Sequence, residues 1–288
     1  MQRVSFLCLL AGACAIAFAP IFVRLADTGP VASAFWRCAL AAPVLWLGAL
    51  RPNVASPEAR AAERAHGMAL VLAGLFFAGD LGVWHFSILY TSVATSTVLA
   101  NLAPIFVTLA GWILWRTRVT RVFLLGMATA IVGMFVLVGP EFSQGGQPLL
   151  GDALGAIAGA SYGFYMVAVK VARDANASTA RLMAWSTTIT ALVLLPIALA
   201  FPQPFLPHSF GGWMVLVGLA VVTQIVGQGL IAYAFAHLPA SISSVSLLIQ
   251  PVMASLYAWI LFREAVGPAQ WIGGAVVLGG IWLAKRGS

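Results

Sequence analysis

Two stretches of the chain, 147 residues apart, are alike: PIFVTLAGWILWR at 104–116 and PVMASLYAWILFR at 251–263. The likeness extends outward from this core. Over the ungapped segment from Ser96 to Gly133, twelve of 38 positions are identical to the residue 147 positions later. Shared hydrophobicity alone does not account for so many identities. The sequence therefore predicts two related units, residues 1–145 and 146–288.

The composition restricts the chain to a membrane. Of its 288 residues, 61% are hydrophobic and 8% are charged, whereas a soluble domain carries about 25% charged residues. The run from Leu182 to Phe262 holds 81 residues without one Asp, Glu, Lys or Arg. A soluble enzyme or a nucleic-acid-binding domain cannot cover its surface in this way, so both classes are excluded despite the net charge of +7.

Continuously apolar runs predict an all-α membrane protein with ten transmembrane helices, because only a helix satisfies its own backbone in lipid. The boundaries between the spans are placed at short polar segments that contain Pro or Gly. The first run also resembles a signal peptide ending at Ala17-Phe18-Ala19, but it reaches Val23 and nine more spans follow. The predicted spans are 4–23, 30–50, 67–89, 92–115, 122–140, 152–170, 180–201, 211–235, 239–262 and 267–284.

The distribution of Lys and Arg sets the orientation. With ten spans and a cytoplasmic N-terminus, twelve of the 15 basic residues fall in cytoplasmic segments, two fall outside and Arg37 lies within a span. This bias follows the positive-inside rule and predicts an inner-membrane protein with both termini in the cytoplasm. Because each unit has five spans, the second unit must be inserted upside down. Inverted repeats are typical of transporters that alternate access around a site near the midplane.

The same pattern resembles the EamA-type branch of the drug/metabolite transporter superfamily, across nearly the whole chain. The stretches that carry this resemblance are LYTSVATSTVLANLAP at 89–104 and LPASISSVSLLIQP at 238–251. Where the family commonly has Glu, this chain has Thr117 and Gln250, whereas Glu264 fits. The resemblance implies ten helices and transport, often export, of small metabolites. The amino-acid exporters of this family (YddG-type) are the nearest likeness for substrate class.

Ionisable residues within the spans are functional candidates, since they are costly in lipid. Asp80 lies midway along the third span, Trp84 is at i+4 on the same face, and His85 lies about 140° round the helix. Asp80 either binds a substrate ammonium group or a proton, or pairs structurally with Arg37. Arg37 itself snorkels outward, pairs with Asp80 or binds a substrate carboxylate.

Uncharged polar residues form faces at helical spacing in the fourth, sixth, eighth and ninth spans. Such faces predict either a central cavity or ordinary interhelical hydrogen bonds. Pro104 and Pro251 occupy equivalent positions in the two units and are hinge candidates. The candidate substrate-binding residues are Asp80, Trp84, His85, Thr97, Asn101, Tyr165, Gln224, Gln228, Ser243 and Gln250.

Small residues predict close helix packing. Gly151, Gly155, Gly159 and Gly163 recur every fourth residue in the sixth span, which favours either a sliding surface or plain tight packing. The match to G-x-S-x-G at Ser161 lies in this helix rather than on a strand–turn–helix elbow, so a serine hydrolase with His85 and Asp80 is disfavoured.

The sequence predicts a gradient-driven secondary transporter of small metabolites that works in the lipid bilayer without a cofactor or metal. No ATP-binding motif and no metal-ligand spacing is present. Protons are one candidate for the coupling ion, and a passive channel-like pathway is the main alternative. A nucleic-acid partner is not expected.

Overall fold

The computed structural model describes residues 2–51, 56–91, 93–138 and 148–288, and within these ranges the chain is helical without a β-strand. The first unit contains α1 (Gln2–Ile16), α2 (Ala19–Leu25), α3 (Pro30–Ala49), α4 (Pro57–Ala65), α5 (Gly67–Ser87), α6 (Val93–Ala100), α7 (Ala103–Trp115) and α8 (Arg121–Val138). The second contains α9 (Pro148–Asp174), α10 (Thr179–Ala200), α11 (Phe210–Gly218), a π-helix (Leu219–Gln228), α12 (Gly229–Phe235), α13 (Ala240–Ser246), α14 (Ile249–Phe262) and α15 (Pro268–Arg286).

These helices form ten spans in two inverted five-helix units, as the sequence predicts. The first, fourth, eighth and ninth spans are each built from consecutive shorter helices, a feature that periodicity did not reveal. Nine spans in the described part of the chain are long and apolar enough to cross a membrane. The tenth, α15, is a 19-residue helix with Lys285 and Arg286 in its last turn. The predicted span ends at 92 and 140 and the unit boundary at 145/146 lie outside the described residues.

Large apolar side chains cover much of the outer surface of the bundle. Leu47, Ile113 and Phe210, for example, are 72%, 69% and 78% exposed. Contiguous exposed apolar surface of this kind is rare on soluble proteins and is expected where lipid replaces water. The fold is thus that of a multi-pass membrane protein.

The two units share local geometry at equivalent positions. Their central helices α7 and α14 both end in a residue with left-handed backbone, Arg116 with φ 51° and Arg263 with φ 56°. A positive φ is uncommon for a residue with a side chain, so its recurrence 147 residues apart supports a common ancestry for the two units. The fourth and ninth spans also break at matching places, before Ala103 and before Ile249.

The fifth and tenth spans form a tightly packed antiparallel pair. An ideal Cβ at Gly126 or Gly280 would come within 2.7 Å of backbone atoms of the other helix, and Gly133 and Gly273 are equally crowded. These glycines let the backbones of α8 and α15 approach closely. The pair packs against α6 and α13, the first halves of the broken spans. The other eight spans surround the interior, where α5 packs between α9 and α10.

Candidate functional site

A cavity of about 140 Å³ lies between the two units. Helices α1, α2, α3, α5 and α6 of the first unit line it, together with α9, the π-helix and α14 of the second. Both units thus contribute to one chamber, as expected for inverted repeats. Seven of the ten sequence-predicted residues line it: Asp80, Trp84, His85, Thr97, Asn101, Gln228 and Gln250.

The cavity holds two opposite charges that do not pair with each other. Asp80 and Arg37 both line it, yet no contact between these two described side chains is among the ion pairs within 4 Å, which include Arg24–Glu264 and Lys170–Asp174. Charged groups at this depth normally pair or serve function. The structural pairing of Asp80 with Arg37, one alternative left open by the sequence, is therefore not what the structure has.

Arg37 is buried instead of snorkelling. It is 6% exposed, and its Nε donates a hydrogen bond of 2.9 Å to Gln224 Oε1. Gln224 in turn donates through Nε2 to Thr187 Oγ1 at 2.9 Å. The guanidinium carbon lies 5.6 Å from the centre of the Phe77 ring. Arg37 is thus anchored through one of its nitrogens by the second unit.

Trp84 and His85 form the wall beside Asp80. Their rings meet edge to face, with centroids 4.8 Å apart. His85 Nδ1 contacts the carbonyl oxygen of Leu81, and its buried Nε2 has no hydrogen-bond partner among the residues described. His85 lines the cavity as well as Trp84, although it lies about 140° round the helix from Asp80.

Tyr162 lines the cavity although the sequence reasoning missed it. Its hydroxyl lies beside the side chains of Gln228 and Gln250, and its ring stacks on Tyr165 at 5.9 Å. Its position could have indicated this role, because it follows Ser161 directly in α9, the helix in which glycine recurs every fourth residue. An aromatic hydroxyl with two amides gives this wall both apolar and polar contact surface.

Three predicted residues lie behind the cavity wall rather than in it. Tyr165 is 2% exposed and stacks on Phe77, with ring centroids 4.7 Å apart. Gln224 supports Arg37, and Ser243 donates to the carbonyl of Pro239 at 2.9 Å. Both Gln224 and Gln228 lie in the π-helix. Gln228 lines the cavity, whereas the Gln224 amide is occupied by Arg37 and Thr187.

The glycine stripe of α9 packs against the broken fourth span. An ideal Cβ at Gly159 would meet the backbone of Leu99 and Ala100, directly before the break, and one at Gly163 would lie 2.8 Å from Phe106 Cβ. Ser161 lies on another side, beside Gly79, and is not among the cavity-lining residues. His85 Nε2 has no hydrogen-bond partner among the described residues, so a triad of Ser161, His85 and Asp80 is not assembled in this structure.

One end of the chamber is closed. There α7 packs against α13, and residues 242–248 are buried without exception. The equivalent of α7 in the second unit, α14, has Pro251 as its buried residue and lines the cavity instead. A separate pocket of about 220 Å³ at the closed end shares no lining residue with the cavity. The related helices thus have different environments at the two ends of the bundle.

The fold and the shared chamber define a membrane protein built from two inverted repeats. A sequence model of the EamA-like transporter family matches the chain twice, over residues 3–139 and 149–286. The chain therefore belongs to the EamA-like transporter family.

Several relatives support the same class. The chain is 28% identical over 196 residues to an uncharacterized transporter of Archaeoglobus fulgidus, an alignment that covers 68% of each chain. It is 26% identical over 201 residues to a Streptantibioticus cattleyicolor protein named "Probable terminal-alkyne amino-acid exporter", covering 68% of this chain and 65% of the relative. It is 24% identical over 212 residues to a pseudopaline exporter of Pseudomonas aeruginosa, covering 73% and 72%.

A solved crystal structure has the same fold. It superposes with a TM-score of 0.80 at 18% identity and covers 99% of this chain and 97% of its own. Family and relatives together indicate a membrane transporter of small molecules rather than an enzyme.

Proposed function

We propose that the protein is a secondary transporter, and an exporter, of small metabolites such as amino acids, which moves its substrate by alternating access. One observation carries this proposal: a single chamber with Asp80 in its wall is shared by both units and is closed at one end. A chamber open to one side at a time is what alternating access requires. The names of the relatives, which include an amino-acid exporter, favour this substrate class.

The broken spans provide the moving parts in this proposal. The fourth span breaks between α6 and α7, and the ninth between α13 and α14, and Pro104 and Pro251 lie in the first turn after each break. A proline cannot donate the backbone hydrogen bond that would bridge such a break. Exchanging the environments of α7 and α14 would close the present opening and open the other end.

The proposed setting is the inner membrane with both termini in the cytoplasm, which makes the closed end the cytoplasmic one. No nucleotide-binding motif accompanies the fold, so the energy comes from a gradient across the membrane. A proton gradient is the first to test, because Asp80 is an ionisable group in the chamber and can carry a proton.

The test is transport in proteoliposomes that contain the full chain. A panel of labelled amino acids is supplied with and without an imposed proton gradient. We expect saturable uptake and counterflow, and a loss of at least tenfold in rate for Asp80→Asn. Glu58→Gln is the matched control, since it removes one carboxylate from the exposed helix α4 outside the chamber. Flux that neither saturates nor shows counterflow would indicate a passive pathway, and a wild-type rate for Asp80→Asn would remove Asp80 from the mechanism.

A further inference from the structure

Arg37 has a buried donor that no residue in the described part of the chain satisfies. The side chain is 6% exposed and binds Gln224 through Nε, but its buried Nη2 has no hydrogen-bond partner among the described residues. An unsatisfied buried charged donor is expensive, and proteins retain such groups where a ligand completes them. Arg37 also lines the cavity, so the missing partner can reach it from there.

The second unit fixes the direction of this guanidinium. Thr187 holds the Gln224 amide, and Gln224 Oε1 holds Arg37 Nε, each at 2.9 Å. Gln224 lies in the π-helical segment, a distortion that is frequent at functional sites. Because the guanidinium is planar and its Nε is anchored, its remaining edge is oriented in advance for a planar anion.

The chamber offers complementary groups for the rest of a small zwitterion. Gln250 Nε2 is a second buried donor that makes no hydrogen bond within 3.5 Å in the described part of the chain, although the Tyr162 hydroxyl lies beside its side chain, and Gln250 also lines the chamber. Asp80 supplies the single carboxylate of the lining. The net charge of the Arg37 and Asp80 side chains is zero, which suits a substrate whose own charges cancel.

We infer that Arg37 binds the carboxylate of the transported substrate and that Asp80 receives its ammonium group, so that the substrate class is the α-amino acid with a free carboxylate. This inference rests on the proposed transport function and specifies its selectivity. The chamber volume of about 140 Å³ is close to that of an engineered cavity that binds benzene, ~150 Å³. A single amino acid with a compact side chain fits this volume, whereas a larger conjugate would have to extend out of it.

Each α-amino acid and its amide form a matched pair of probes. The amide keeps the size and the ammonium group but lacks the negative charge, so it leaves Arg37 unsatisfied. A site built to hydrogen-bond a polar substrate group can reject analogues that lack the group by factors of about 10⁴–10⁵. We expect the purified full chain in detergent to bind the acids at least about 100-fold more tightly than the amides, as measured by thermal stabilisation and by tryptophan fluorescence.

Variants separate this role from a structural one. Arg37→Gln is expected to reduce the preference for the acid to less than about threefold, and Arg37→Lys to keep part of it, because lysine retains the charge but not the fork. Since Arg37→Gln also leaves Gln224 without its partner, Gln250→Glu provides a second test with Arg37 intact. A carboxylate at position 250 should weaken binding of the acids and strengthen binding of the amides.

The outcomes are distinguishable from failure of the proposed function. If saturable transport is found but acids and amides bind equally, or if folded Arg37→Gln keeps the preference, the Arg37 assignment is wrong and the transport proposal stands. If no acid of the panel binds, the substrate class is overturned. If no panel member shows saturable transport, the proposed function itself fails.

Discussion

The close packing of α8 against α15 predicts that alanine substitutions at two neighbouring glycines, Gly279 and Gly280, change the stability of the protein differently. An ideal Cβ built at Gly280 would lie 2.7 Å from both Ala130 Cα and the Gly126 carbonyl oxygen. An ideal Cβ at Gly279 would have no neighbouring atom within 4 Å. Both residues lie within α15, so an alanine gains similar helix propensity at each, about 0.5–1 kcal/mol. The variants Gly279→Ala and Gly280→Ala therefore differ in packing alone.

The magnitude follows from the geometry. Carbon atoms pack at about 3.5–4.0 Å, so Gly280→Ala must push the two helices apart by about 1 Å, because backbone atoms cannot rotate aside. Overpacking of this kind costs about 1–3 kcal/mol, which exceeds the gain in propensity. At about 2–4 °C per kcal/mol for a chain of comparable size, this cost should place the Tm of Gly280→Ala about 2–12 °C below that of Gly279→Ala, whose own Tm stays level with the native value or rises slightly.

The Tm of each variant and of the native chain is measured in detergent. Samples are heated, and size-exclusion chromatography gives the fraction of protein that stays folded at each temperature. Equal Tm values for Gly279→Ala and Gly280→Ala would refute the close contact between α8 and α15. If Gly279→Ala alone lowered Tm, then Gly279 rather than Gly280 would lie on the face of α15 that contacts α8.

Two further predictions concern the proline at the break of the ninth span and the ion pair between Arg24 and Glu264. Pro251→Ala restores a backbone donor at the break of the ninth span, so transport should slow severalfold while Tm stays level or rises; an unchanged rate would exclude Pro251 as a hinge. Glu264→Gln removes the ion pair between Glu264 and Arg24. Because the Arg24 side chain is 58% exposed and that of Glu264 47%, the free energy of unfolding should change by less than about 1 kcal/mol. A larger loss of stability, with Asp174→Asn as the control at the opposite end, would show that the pair holds the bundle together.

Part of the candidate site was accessible from the sequence because lipid makes polar residues conspicuous. Asp80, Asn101 and Gln250 stand out in apolar runs, and all three line the chamber. Tyr162 did not stand out, since an aromatic residue in a membrane helix carries no signal of its own. The interpretation of Arg37 also stayed open, because its partner Gln224 lies 187 positions away.

The sequence by itself determined the number of spans, the two related units and their inversion. These depend on local hydrophobicity and on the count of basic residues, which each segment carries regardless of its neighbours. The tertiary structure alone decided where the spans break, which residues share a chamber and which end of it is closed. Those features depend on contacts between residues far apart in the chain, such as Gly159 against Leu99 or Arg37 against Gln224, and no periodicity within one helix encodes them.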